Sequence, residues 1–262
     1  AAIITAATLQ DVEDLYLPYK QKKRTKAMIA RENGLQPLAD FVLTHLSEEI
    51  PTEAYINDAL ADAAAVLAGL HEIIAEQIGE KAIYRQWLRE RMQRDGFLTV
   101  TVKRDGEEKD AQGVYAQYYD YSESLKSLQM NTFRILAVNR GEKDGVLSVK
   151  IDFSEERMRH FIQIKERNGQ GDSGEGYQVL LSAIDDAYKR FIQPAVAREL
   201  RQELTVLAQG QAIKVFGDNL YHLLMQAPLK NKIVMGFDPG FRTGSKLAII
   251  DANGRLDRKS VV

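Results

Sequence analysis

Residues 232–251, KIVMGFDPGFRTGSKLAIID, decide the fold class of this chain. KIVMGFD carries a continuous apolar run, the pattern of a buried strand. PGFRTG then predicts a turn and SKLAIID a second strand, and the ANG that follows predicts a tight turn into a third strand. The residues before this point are mainly helical in pattern, so the change near residue 228 predicts the main domain boundary.

The preceding sequence is dominated by helical periodicity. Thr8 is the candidate N-cap of the first helix, with Asp11 as the acidic partner of a capping box, and Pro18 ends that helix. Further helices are predicted over residues 35–46, 54–94 with a break at Gly79, 154–167, 177–193, 195–213 with Pro194 at its first turn, and 211–226. Strands are predicted at 97–103 and, as a hairpin, at 133–139 and 145–152, while the tyrosines of 115–121 have helical spacing.

Composition excludes several classes of protein. The 262 residues are 45% hydrophobic and 27% charged, which is ordinary for a globular protein, and the net charge of −2 provides no global basic field. The absence of cysteine excludes disulfides, thiolate zinc sites and cysteine nucleophiles, and the four histidines lack the spacing of metal ligands. No run of 18 apolar residues and no signal peptide occur, so we expect a soluble cytoplasmic protein that needs no cofactor and no membrane.

A short basic run is the first candidate binding site. Five cations fall within seven residues with no acid among them: Lys20, Lys22, Lys23, Arg24 and Lys26. They could contact phosphates, with Tyr16 and Tyr19 available to stack on bases. The alternative is a solvated loop after a helix. The arginines at 85, 89, 91 and 94 are a weaker candidate, because helix C-termini favour cations in any case.

Asp238 is the second candidate. A carboxylate at the end of a buried strand, followed by a glycine-rich turn, can hold a divalent metal or face a phosphate, and both ribonuclease H-like nucleases and actin-like ATPases open in this way. The alternative is a turn cap in Asp-Pro-Gly. Two-metal chemistry needs a second acid, and Asp251 lies near the far end of the adjacent strand. No second Asp-Gly phosphate motif supports the ATPase. We therefore predict no catalytic residue and no metal.

Five segments in order resemble the Tex family of bacterial transcription accessory proteins. They are residues 8–27 (TLQDVEDLYLPYKQKKRTKA), 135–151, 183–204, 212–228 and 236–251. The resemblance implies a multi-domain, mostly helical protein with a helix-turn-helix-like part, a YqgF-type ribonuclease H-like domain, helix-hairpin-helix units and a C-terminal OB-fold that binds RNA. Its helical content argues against the strand at 97–103.

The resemblance also implies how the chain is divided. Residues 1–128 would be the N-terminal helical region, 129–228 a central region of hairpin and helices, and 229–256 the truncated start of the ribonuclease H-like domain. Residues 257–262 resemble a sequencing artefact. The fold class expected is mostly α, with multi-helical N-terminal and central regions followed by the first β-hairpin of an α/β domain.

The function implied is that of a non-catalytic transcription accessory factor. It would bind RNA or single-stranded DNA, with the transcription machinery as a further candidate partner. Asp238 falls where a ribonuclease H-like fold places its first metal-binding acid, here a vestigial one. The alternative function is a metal-dependent nuclease or resolvase with Asp238 as a metal ligand.

Overall fold

A computed structural model describes residues 4–6, 8–21, 23–227, 229–240 and 244–261. The chain divides into two compact units, Ala1–Gly210 and Gln211–Val262. The helices are α1 Leu9–Tyr16, α2 Lys26–Glu32, α3 Gln36–Thr44, α4 Ala63–Gly79, α5 Ala82–Asp95, α6 Gly106–Lys109, α7 Leu125–Leu128, α8 Phe133–Lys143, α9 Glu155–Arg167, α10 Glu175–Asp186 and α11 Gln193–Leu224. The strands are β1 Phe97–Val102, β2 Asp120–Ser124, β3 Leu147–Asp152, β4 Val234–Asp238, β5 Lys246–Ile250 and β6 Leu256–Val261. The fold is mostly α, and the domain limits expected from the sequence stay predictions.

The first helix begins as the sequence predicts. The Thr8 hydroxyl accepts a hydrogen bond from the Asp11 amide at 3.1 Å, and the Asp11 carboxylate accepts one from the Thr8 amide at 3.1 Å. This is the reciprocal capping box that satisfies two free amides of the first turn. The α-helix ends at Tyr16, and Pro18 lies in the short 3-10 turn Leu17–Tyr19 that follows.

The core of the first unit is built around α4. Its apolar residues Leu70, Ile73 and Ile74 are completely buried. The predicted break at Gly79 is confirmed, since α4 ends there and α5 begins at Ala82. A Cβ on Gly79 would lie 2.8 Å from side-chain atoms of Phe191, so only glycine permits this close approach.

The strand prediction at residues 97–103 is confirmed, and the objection from the helical family resemblance is wrong. β1 is the central strand of an antiparallel sheet with the order β2-β1-β3. Val100 is completely buried and pairs with Tyr121 on one side and Val149 on the other. The alternating apolar residues of β1 are thus buried on one face.

Two predictions around this sheet are wrong. Residues 133–139 form the start of α8 rather than a strand, because Ile135, Val138 and Gly141 recur every three residues and are the residues that α8 buries. Only the second half of the predicted hairpin is a strand, and it pairs with β1. The tyrosine-rich stretch is not an α-helix: it forms a 3-10 turn, Ala116–Tyr118, and then β2.

The last helices of the first unit run together. Residues Ala187–Ile192 continue α10 as a π-helix, and α11 begins at Gln193, which confirms Pro194 in a first turn. Proline has no amide hydrogen and clashes with the carbonyl four residues earlier, and the wider π turn relieves that conflict. The prediction of separate helices over 195–213 and 211–226 is wrong, because α11 continues without a break from Gln193 to Leu224.

The second unit contains the predicted strand–turn–strand. β4 and β5 pair antiparallel, with Asp238 opposite Lys246, and β6 adds a third strand in the order β4-β5-β6. Residues 257–261, which the sequence analysis set aside, lie in β6. Among the described residues, every helix is too short or too polar to span a bilayer.

Candidate nucleic-acid interface

The basic segment, residues 20–26, connects the 3-10 turn to α2. Thr25 is the N-cap of α2, with its hydroxyl accepting a hydrogen bond from the Met28 amide at 3.1 Å. This cap fixes Lys26 as the first residue of the helix. Lys22 lies outside the described residues.

The described cations of the basic segment fall into two pairs. Arg24 contacts Glu32 at 2.8 Å, and Lys26 contacts Glu72 at 3.6 Å. Such solvent-exposed ion pairs stabilise a fold by only about 0–1 kcal/mol, so the two cations remain exchangeable. Lys20 and Lys23 are exposed and form no ion pair with any described acid. The segment therefore presents two unpaired and two weakly paired cations to solvent.

Exposed aromatic rings adjoin these cations. Tyr19 is 78% exposed and Tyr16 is 50% exposed. Tyr19 directly precedes Lys20 in the chain, and Tyr16 lies four residues before it. Aromatic faces beside cations are the combination that holds single-stranded nucleic acid.

A cleft of about 390 Å³ lies beside the basic segment. It is lined by Leu17, Lys20, Thr25, Lys26, Ala27, Glu72, Glu76, Gly79, Glu80, Arg85, Arg190 and Phe191. Glu72, Glu76 and Glu80 are four residues apart, which places them on one side of α4 and its cap. Of the described cations of the segment, Lys20 and Lys26 line the same cleft as this row of carboxylates, and Lys26 contacts Glu72.

Other cations already neutralise much of this acidic row. Arg190, in the π-helical stretch, hydrogen-bonds Glu72 at 2.7 Å, and this bond lowers the pKa of Glu72 below its ordinary value. Arg31 contacts Glu76 at 3.1 Å, and the Thr25 hydroxyl donates to the same carboxylate at 3.4 Å. Glu72 and Glu76 are therefore already paired with arginines of the same unit, and they do not require the cations of the basic segment.

Two arginines of the second set, Arg85 and Arg89, are structural. Arg89, which is 8% exposed, contacts Asp14 of α1 at 2.5 Å and Glu199 of α11 at 2.9 Å, and Arg85 lies 3.9 Å from Asp14. Burial raises the pKa of Glu199 despite the contact with Arg89. This buried network ties three helices together and leaves the Arg89 guanidinium no surface for phosphate. The sequence did not reveal it, because Arg89 lies 75 residues from Asp14 and 110 residues from Glu199 in the chain.

Asp238 does not form a metal centre with other described residues. It is 74% exposed, and its carboxylate lies 3.8 Å from the Lys246 amine. Asp251 lies beyond the opposite end of β5, where it accepts hydrogen bonds from the amides of Asn253 and Arg255 at 2.9 Å. Among the described residues, no group of three or more histidines or acids could hold a metal ion. Residues 241–243 of the adjoining turn lie outside the described part.

Family models match most of the chain. Residues 45–216 match the Tex central region-like model, and residues 232–262 match the YqgF-like domain of Tex proteins.

Curated relatives match along almost the whole chain. An uncharacterized protein, YdcI of Bacillus subtilis, is 39% identical over 97% of the chain and 35% of its own length. The transcriptional accessory protein Tex of Neisseria gonorrhoeae is 34% identical over 98% of the chain and 34% of its own length. The human S1 RNA-binding domain-containing protein 1 is 30% identical over the whole chain and 27% of its own length. The chain thus spans about a third of the length of the first two relatives. Because the Tex central region-like model matches more than half of its residues, the chain belongs to the Tex family.

Proposed function

We propose that this chain is a nucleic-acid-binding part of a cytoplasmic transcription accessory factor, and that it acts by contact rather than by catalysis. The observation that carries the proposal is the exposed pair Lys20 and Lys23 beside the exposed Tyr19. The names of two relatives support it, since one is a transcriptional accessory protein and the other is named for an RNA-binding domain. RNA or single-stranded DNA would be the ligand, and the transcription machinery a further partner.

The mode of binding follows from the chemistry of the segment. Lysine is a flexible point charge, so Lys20 and Lys23 would neutralise phosphates without reading sequence. Tyr19 would stack on a base, which is worth about 1–3 kcal/mol and tolerates any base. Arg24 and Lys26 would leave their ion pairs with Glu32 and Glu72 and contact phosphate oxygens instead, with little net change in free energy. Binding should then be weak, independent of sequence and sensitive to salt.

The surroundings of Asp238 do not favour a nuclease. Its described neighbourhood supplies a lysine rather than a second carboxylate. Two-metal hydrolysis needs acids that converge on two cations about 4 Å apart. We therefore propose that the chain is not an enzyme.

A binding titration with matched variants tests the proposal. Fluorescence anisotropy with labelled oligouridine should show weaker binding for the double variant Lys20→Ala/Lys23→Ala. The control Lys126→Ala/Lys165→Ala removes two other exposed lysines from the same unit and should bind as the parent does.

Two further variants sharpen the test. Tyr19→Leu should weaken binding to oligouridine, because the stacking face is lost while an apolar side chain is kept. Glu72→Gln should tighten binding, because a carboxylate that competes for Lys26 becomes neutral. Equal affinity of the double lysine variant and its control would refute the role of the basic segment.

A further inference from the structure

A groove of about 580 Å³ in the first unit is lined mainly by β3 and the start of α11. β3 contributes the charged residues Lys150 and Asp152 to its lining. α11 contributes Arg198 and Arg201, and Glu142 comes from α8. The charged side chains of the groove are thus three cations and two carboxylates, so the groove carries a net positive charge.

Two of the three cations have no ion-pair partner among the described residues. Lys150 and Arg198 are exposed and contact no described acid, whereas Arg201 is bound to Glu142 at 2.6 Å. The Arg198 Nε donates a hydrogen bond to the Pro194 carbonyl at 3.0 Å, which orients the guanidinium and leaves its terminal nitrogens to bind a ligand. The unpaired cations of the groove can therefore bind an anion.

The groove adjoins the cleft beside the basic segment. Phe191 lines the cleft, and Arg198 follows it by seven residues, which places Arg198 about two helical turns, or about 10 Å, further along the same side of the helix. Burial lowers the pKa of Arg85, which also lines the cleft, and the charge of Arg198 lowers it further. Arg85 and Arg198 are therefore neighbours, and the cleft and the groove follow one another along the helix.

The carboxylates at this junction already have a cation partner. Asp14 and Glu199, whose charges act on Arg85, bind Arg89 at 2.5 Å and 2.9 Å. They form no ion pair with Arg198, which remains available to a ligand that passes from the cleft into the groove.

We propose that a nucleic-acid strand bound at the basic segment continues past Arg198 into this groove, where Lys150 and Arg198 contact its phosphates. The inference rests on the proposed function, because it extends the path of the same strand. Among the described residues, none that lines the groove is aromatic, so the groove holds the backbone of the strand without stacking on a base. At about 0.7 per phosphate of a single strand, the two contacts make the log–log salt slope steeper by about 1.4.

Oligonucleotides of two lengths distinguish the groove from the basic segment. Fluorescence anisotropy over a series of salt concentrations compares labelled oligouridines of about four and about sixteen nucleotides, the shorter of which cannot span both cavities. Lys150→Ala/Arg198→Ala should flatten the salt slope of the longer strand by about 1.4 and leave that of the shorter strand unchanged. The charge-conserving variant Lys150→Arg/Arg198→Lys should keep the parent slope, as should the control Lys126→Ala/Lys165→Ala.

The same measurements define the opposing results. Asp152→Asn should tighten binding of the longer strand only, because it removes a carboxylate that repels phosphate in the groove. If Lys20→Ala/Lys23→Ala weakens binding of both strands while Lys150→Ala/Arg198→Ala leaves the slope of the longer strand unchanged, the path into the groove is refuted and the proposed function stands. An equal loss of slope for both strands would show a separate phosphate site and also overturn a continuous path. If Lys20→Ala/Lys23→Ala has no effect on either strand, the proposed function fails and the path from the basic segment fails with it.

Discussion

Replacing Arg89 by alanine should strongly destabilise the first unit. The guanidinium contacts Asp14 at 2.5 Å and Glu199 at 2.9 Å, and the carboxylate of Asp14 is almost fully buried. Removing the cation from a buried pair leaves an uncompensated charge, which typically lowers the free energy of unfolding by about 3–5 kcal/mol. The unfolding constant should then rise by roughly 150- to 5,000-fold. Urea titration followed by the fluorescence of Trp87, the single tryptophan, measures this.

A control variant and the pH dependence of the stability of Arg89→Ala both test this account of the buried network. Arg94→Ala, which breaks an exposed pair with Asp95, should change stability by less than about 0.5 kcal/mol. The pKa of Glu199 is already raised by burial, so in the Arg89→Ala variant its protonation should restore part of the lost stability as the pH falls toward 4.5. A loss below about 1 kcal/mol, or a loss that grows on acidification, would refute the account of this network.

Three other predictions test separate parts of the structure. Gly79→Ala should lower the free energy of unfolding by about 1–3 kcal/mol, because the added Cβ would lie 2.8 Å from Phe191. Gly210→Ala should raise it by up to about 1 kcal/mol, because the space around Gly210 is open and alanine favours the helix. Thermal unfolding that ranks the two variants in the opposite order would contradict the packing described. Burial raises the pKa of Tyr188 to about 12, so its contribution to stability should be lost as the pH rises from 10 to 12, and Tyr188→Phe should flatten that decline in urea titrations. Incubation of the chain with Mg²⁺ or Mn²⁺ should leave single-stranded RNA and branched DNA intact, and cleavage that Asp238→Asn abolishes would overturn the non-catalytic assignment.

Patterns such as helix capping and strand–turn–strand predicted those elements of the fold whose contacts are between residues close in sequence. The Thr8–Asp11 capping box and the hairpin β4–β5 each depend on residues close in sequence. The alternation of β1 was also sufficient, although the strand pairs with β3 about 50 residues later. The inference from the family resemblance that residues 97–103 would not form a strand was wrong, because a mostly helical protein can still contain a β-sheet.

The remaining errors have a tertiary cause. The apolar residues of 133–139 fit both a strand and a helix. In the fold, Ile135 and Val138 are buried on one side of α8, together with Gly141, where a Cβ would lie 2.5 Å from Leu147. The burial of Asp14 depends on Arg89, which is 75 residues away. Likewise, nothing in the spacing of the basic run could show that Lys26 faces Glu72 while Lys20 and Lys23 face solvent.

The salt dependence of RNA binding tests the central claim most directly. Each phosphate contact to a single strand contributes about 0.7 to the log–log slope, so Lys20 and Lys23 alone would give about −1.4 and all five cations of the run about −3.5. The variant that replaces Lys20, Lys22, Lys23, Arg24 and Lys26 by alanine should flatten the slope of the parent chain by between about 1.4 and 3.5 while urea unfolding remains cooperative. An unchanged slope in a folded quintuple variant would contradict the claim that the basic segment binds nucleic acid.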